Sequence, residues 1–155
     1  MSLIRQQAFL NAPPEVVWSL IGDVDRHPLW WPKVVSVECE GLQEGCVYRE
    51  VVEMPISGTD EMRLLVEDLD EHRQFSIRCL NTGMFMRATL TPAQGGTFVD
   101  GEMGMDPAGK GFANRAFDLV AGRRYFKGWL ADTMASLARA AEGSKEKVAK
   151  GARGA

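Results

Sequence analysis

Between Lys33 and Asp106 the chain holds six consecutive runs of strand length: VVSVECEG, CVYREVVEM, DEMRLLVEDLD, RQFSIRCL, GMFMRATLT and GTFVDGEMGM. Turn formers separate them, as GLQEG, PISG, DEHR, NTG and PAQGG. A parallel crossover needs about a dozen residues or more, so runs joined this closely must lie as antiparallel neighbours. This one feature removes every parallel α/β architecture.

The segments on either side of the six runs complete the plan. LIRQQAFLN reads as a first strand ending at Asn11. In APPEVVWSLIGD, Pro14 suits the first turn of a helix, Val17, Leu20 and Ile21 fall on one face, and Gly22 is a stop. Asp25 is placed to cap a second brief helical turn that Pro32 ends. After the strands, one helix is predicted from Lys110 to Glu142. Taking Phe112 as phase origin, its stripe collects Ala116, Leu119, Val120, Phe126, Leu130, Met134, Leu137 and Ala141. About thirty residues at 1.5 Å each span about 45 Å, enough to cross a small sheet. The expected fold is α+β: a strongly curved seven-stranded antiparallel sheet around a long C-terminal helix, with two short helices after the first strand. Residues 1–142 form the single domain, and GSKEKVAKGARGA, residues 143–155, is expected to be a disordered charged tail.

Alternation gives each strand an inner face. The inward set is Tyr48, Glu50, Val52 and Met54; Met62, Leu64 and Val66; Phe75, Ile77 and Cys79; Met84, Met86, Ala88 and Leu90; and Val99, Gly101, Met103 and Met105. Six of the eight methionines share this face. Methionine is flexible and is over-used where varied apolar partners must be accepted, whereas a solid core prefers leucine, isoleucine and valine. The lining therefore reads as adaptable. Two charges interrupt it: Glu50 on its strand and Arg123 on the helical stripe, about 20° from Phe112 at 100° per residue. Unpaired buried charges are costly, so Arg123 either snorkels to solvent or holds Glu50 or the polar end of a ligand.

Other chemistry is thin. A net charge of −3 argues against nucleic acid as a partner. Three cysteines without CxxC spacing and two histidines without metal spacing give no metal site, and no cofactor is expected. Neither a signal peptide nor a membrane span is legible, which suggests a reduced, cytoplasmic protein. His27, before Pro28 near the expected pocket end, is placed either as a general base or, more ordinarily, as a surface residue in a polar turn, and His72 reads as surface.

The stretch RHPLWWPKVV is less ordinary, with two adjacent tryptophans between prolines at a chain reversal. Trp31 is expected to face inward and Trp30 to cover the outside, since adjacent extended residues point oppositely. The whole run FLNAPPEVVWSLIGDVDRHPLWWPKVVSVE resembles the opening of START-like helix-grip proteins of the SRPBCC superfamily. The polyketide cyclase/dehydrase and lipid-transport family is most similar. The residues carrying the resemblance are Ala12, Pro13, Glu15, Val17, Trp18, Asp23, Pro28, Trp30, Trp31 and Pro32. It implies a helix-grip fold whose short helices form one end wall of a cavity, closed at the corner by the Trp-Trp-Pro link.

The expected ligand is small or elongated and hydrophobic, a lipid, quinone or polyketide-like molecule. Its expected contacts are Trp31, Tyr48, Glu50, Val52, Met54, Met62, Leu64, Phe75, Met84, Met86, Met103, Arg123 and Phe126. A cyclase or dehydratase would use Glu50, Tyr48 and Arg123 as proton acceptor, hydrogen-bond donor and enolate stabiliser. A third reading makes the cavity vestigial and gives the off-stripe Tyr125 and Trp129 to a partner. A homodimer is left open.

Overall fold

A computed structural model describes residues 1–56 and 58–153, with side chains described as far as Ser144. Strands β1 (Ser2–Leu10), β2 (Val34–Glu38), β3 (Val47–Met54), β4 (Gly58–Asp70), β5 (Gln74–Cys79), β6 (Met84–Ala93) and β7 (Gly96–Met105) form one sheet. Its order is β1-β7-β6-β5-β4-β3-β2, antiparallel at every pairing. The six short-linked strands are consecutive neighbours, as their turns require. β1 returns to pair with β7, leaving β1 and β2 as the open edges.

Helix α1 (Pro14–Ile21) begins with Pro14 in its first turn and stops at Gly22. A 3₁₀ turn at Val24–Arg26 leads into α2 (His27–Trp30). The cap of that turn is Asp23, which accepts from the Asp25 amide at 3.2 Å, rather than the expected Asp25.

The C-terminal helix is not one uninterrupted rod. It begins with α3 (Phe112–Phe117), passes through a π turn at Asp118–Gly122, and continues as α4 (Arg123–Arg153). A π turn closes i→i+5 bonds and so spends one extra residue, which rotates the helix before it by about 100° relative to the helix after it. The expected stripe therefore divides. Phe126, Leu130, Met134, Leu137 and Ala141 are buried against the sheet, while Phe112, Leu119 and Val120 are turned to solvent. Asp118 and Gly122 take the inward positions instead. Ser2 Oγ donates to the Asp118 carboxylate at 2.5 Å, and a Cβ on Gly122 would lie 2.5 Å from the same hydroxyl. That close approach to β1 fixes the π turn in place. Into residues 143–153, where disorder is expected, the backbone continues as α4; residues 154–155 lie outside the described residues.

The predicted inner face holds along every strand. Tyr48, Glu50, Val52, Met62, Leu64, Val66, Phe75, Ile77, Cys79, Met86, Ala88, Leu90, Val99, Met103 and Met105 are all buried, and Met54 and Met84 are half-buried. α4 lies across β1 and β7 and touches α1 and α2.

Candidate functional site

The corner between end wall and sheet is made of tryptophan. Both indoles of the pair are buried, each 4% exposed, and they stack at 5.7 Å with planes 10° apart. The expectation that one would cover the outside is wrong, because Trp30 ends α2 and the two rings are set by a helix terminus rather than by extended chain. Trp30 ties the corner together: its Nε1–H donates to the Leu20 carbonyl at 3.0 Å, and its own carbonyl accepts from Ser136 Oγ on α4. Trp31 faces the interior, 6.3 Å from Trp129 of α4, whose Nε1–H donates to the Pro32 carbonyl at 2.8 Å.

His27 belongs to the same cluster and is wholly buried, contrary to the surface position expected for a polar turn. It opens α2, and its ring meets Trp30, Trp31 and Phe75 at 5.6, 5.1 and 5.7 Å. Nε2 sits 2.8 Å from the Ile21 carbonyl and must donate to it, so Nδ1 is the bare acceptor. Burial lowers the imidazole pKa to about 4, outweighing the Ile21 carbonyl and the Asp23 charge, which both act to raise it. His27 is therefore neutral at physiological pH. His72 is half-buried, its ring 6.3 Å from that of Trp18 on the far side of α1.

Beyond Trp31 an apolar space opens between the sheet and α4. It is lined by Trp31, Glu50, Val52, Met62, Leu64 and Ile77, by Cys79, Met84, Phe85, Met86 and Met103, and by Phe126 and Trp129. The space is narrow: about 30 Å³ is open to a water-sized body, room for about two waters. A second space of about 170 Å³ lies outside it, between the tip of the β3–β4 hairpin (Met54, Pro55, Ile56), the β5–β6 turn (Thr82, Met84), Met105, α3 and Tyr125. Met84 lines both and stands between them.

Among the described residues Glu50 is the only ionisable carboxyl in the inner lining, and no lysine or arginine accompanies it. Its neighbour Arg49 points to the outer face and pairs with Glu38 at 2.7 Å. Glu50 is 5% exposed, and among the described residues its Oε1 has no hydrogen-bond partner. Burial raises its pKa to about 8, so the carboxyl is mostly protonated at neutral pH. Tyr48, two residues earlier on the same face, has its hydroxyl buried and unpartnered. Burial first, then the nearby Glu50, holds its ionisation well above the usual phenol range. Among the described residues Trp31 Nε1 is the fourth buried polar atom left bare, beside His27 Nδ1, Tyr48 Oη and Glu50 Oε1. Native interiors leave few such atoms; two of these four, on Trp31 and Glu50, belong to residues that line the inner space, where a polar group of another molecule would satisfy them.

Of the residues expected from sequence, Trp31, Glu50, Val52, Met62, Leu64, Met84, Met86, Met103 and Phe126 line the inner space, and Met54 lines the outer one. Tyr48 and Phe75 are buried behind the lining. Arg123 does not belong. Gly122 faces β1, so the next residue is turned about 100° away, and the Arg123 side chain is exposed. Trp129, off the stripe when phase is counted from Phe112, lines the inner space, because the π turn shifts that phase. Counted from Phe126 it falls at i+3, on the buried face.

Comparison with known proteins adds to this geometry. The sequence pattern described as polyketide cyclase / dehydrase and lipid transport matches residues 1–142. The chain belongs to that family. Among solved structures, a START superfamily protein from Mycobacterium smegmatis aligns with a TM-score of 0.70 at 17% identity, covering 96% of this chain and 99% of the other. Protein NE0264 from Nitrosomonas europaea gives 0.68 at 14% identity, over 94% and 97% of the two chains. The di-domain ARO/CYC StfQ of the steffimycin biosynthetic pathway gives 0.67 at 16% identity, over 96% of this chain and 51% of its own. A comparison with curated protein sequences finds no match. Identities this low carry the fold and not the ligand. No described helix is long and apolar enough to cross a membrane, and no described group of histidine, cysteine and carboxylate side chains could hold a metal ion.

Proposed function

We propose that this protein binds a small, mainly apolar ligand between the sheet and α4, with an uncharged polar group of the ligand against Glu50. The observation that carries this reading is Glu50 itself, a buried carboxyl whose Oε1 has no partner among the described residues, in a lining otherwise made of methionine, aliphatic and aromatic side chains, with Cys79. A fatty-acid carboxylate or a phosphate would find no cation there, so the ligand class is neutral: a hydroxyl, phenol or carbonyl on an apolar body. The inner space takes only the polar end as it stands. The body extends past Met84 into the outer space, and thioether side chains with several rotatable bonds give way at low cost. Three free cysteines accord with a reduced, cytoplasmic setting.

A neutral fluorescent probe, N-phenyl-1-naphthylamine, tests the reading. Saturable binding is expected in the wild type, with affinity at least about tenfold weaker in Met84→Trp, where an indole blocks the passage. Absence of saturable binding to the folded wild type sinks it.

One observation favours a second, catalytic reading. A carboxyl that is protonated near neutral pH can deliver a proton to a carbonyl and take one back, the acid–base step of a cyclase or dehydratase. Arg123 has no place in that scheme.

A further inference from the structure

Around the outer space the protein surface is apolar where a rim is ordinarily polar. Ile56, at the tip of the β3–β4 hairpin, is 96% exposed, and it lines the same opening as Ala113, Asn114 and Phe117 of α3. On α3 and the adjoining π turn, Phe112, Leu119 and Val120 are 86%, 88% and 84% exposed. A single exposed leucine is ordinary; four large apolar side chains raised almost completely into solvent are not, with Ile56 lining the opening, Phe112 on the helix that lines it, and Leu119 and Val120 on the π turn that continues that helix. The π turn is what presents Leu119 and Val120, since it releases them from the buried stripe while Gly122 stays pinned to Ser2.

The helical side of this region is basic, although Glu53, Asp60 and Glu61 are exposed on the hairpin that carries Ile56. Arg115, Arg123, Arg124 and Lys127 are all exposed, and the single acidic residue from Lys110 to Lys127 is Asp118, buried against Ser2. The whole chain is acidic, with net charge −3. A local excess of arginine and lysine among exposed aliphatic and aromatic side chains is the pattern of a surface that meets anionic headgroups and the acyl boundary beneath them. An apolar contact with another protein would need the exposed side chains but not the cations.

We propose that this rim docks the protein on the surface of an anionic lipid bilayer, with Ile56, Phe112, Leu119 and Val120 entering the headgroup region and the flanking arginines meeting lipid phosphates. Docking there sets the outer space against the membrane, which is where an apolar ligand would be collected or released. The contact does not require an occupied pocket, so it stands or falls apart from the ligand-binding reading.

Co-sedimentation of the full chain with phosphatidylcholine vesicles, with and without phosphatidylserine, decides the matter. At low ionic strength the partition coefficient is expected to rise at least about tenfold when phosphatidylserine is present, and to fall again as salt screens the charges. Leu119→Ser with Val120→Ser, and separately Arg123→Glu with Arg124→Glu, should each lower binding by about tenfold or more. All four side chains are exposed, so the thermal midpoint should hardly move, which separates lost docking from lost fold. Wild-type protein that stays in the supernatant with anionic vesicles overturns the proposal, as do variants that sediment as the wild type does. A wild-type dimer in solution that Leu119→Ser with Val120→Ser converts to monomer would also overturn it, by assigning the patch to a second copy of the chain.

Discussion

Glutamine in place of Glu50 is expected to stabilise the protein by about 3 kcal/mol at pH 7 and by about 5 kcal/mol above pH 8, at 1.36 kcal/mol per pKa unit. The carboxyl titrates near 8 in the folded chain against 4.5 for an unperturbed glutamate. As pH rises between those values the unfolded chain gives up the proton and the folded chain keeps it. Stability therefore falls with rising pH through this window and levels off above it. His27 works in the opposite sense. Its folded value of about 4 lies below the ordinary 6.5, so its contribution is whole above pH 6.5 and is lost as pH falls toward 4. From about pH 4.5 to 6.5 the two slopes oppose each other, and the wild type should be nearly flat. Glu50→Gln should remove the alkaline decline and expose the rising limb that His27 imposes. Urea unfolding across pH 4.5 to 9 reads both limbs. A wild-type curve that does not decline between pH 6.5 and 8 would mean that Glu50 is ionised at no cost in the fold.

Gly83→Ala should cost about 3–5 kcal/mol, a large share of the 5–15 kcal/mol that holds a typical domain. Gly83 has φ +82°, in the left-handed region, and a Cβ there would lie 1.9 Å from the Asp106 carbonyl oxygen. That oxygen belongs to backbone and cannot swing aside. The turn is clamped twice, by the Gly83 amide to the Cys79 carbonyl and by the Asp106 amide to the Gly83 carbonyl, both at 2.9 Å. Gly95 is the matched control, with φ +80° and no atom within 4 Å of an added Cβ, so Gly95→Ala should lose only about 1–2 kcal/mol. Thermal or urea midpoints of the two variants separate the steric cost from the conformational one. Equal losses would show that β7 yields at Asp106. The same turn carries Thr82 and Met84 at the outer space, so damage at Gly83 should also weaken probe binding.

The sheet is readable because its physics is local. Each turn former sits between runs of period two, and an inner face assigned by alternation needs no knowledge of the partner strand. Glu50 stands out on the same basis, as a charge flanked in phase by Tyr48 and Val52 in the middle of its strand. The helix is less legible, because one extra residue in the π turn destroys phase without leaving a mark in composition. Leu119, Val120 and Arg123 lose their place on the stripe counted from Phe112 through that single insertion, while Trp129, at i+3 from Phe126, gains one. His27 misleads for a different reason. Its burial depends on α2 folding the Ile21 carbonyl onto its ring, a contact six residues away that no pattern of polarity displays. The width of the inner space is equally hidden, since it is set by how closely α4 settles on methionine side chains that have many shapes to choose from.

The stacked indoles at the corner also equip the chain with a built-in optical gauge. Trp30 and Trp31 lie parallel at 5.7 Å and Trp129 stands 6.3 Å further on, so three of the four tryptophans form one electronically coupled group. Trp18 is packed apart from them, beside His72. Anything that wedges between Trp31 and Trp129 must disturb that coupling while Trp18 emits unchanged, so occupancy can be followed by intrinsic fluorescence and ultraviolet circular dichroism without a label.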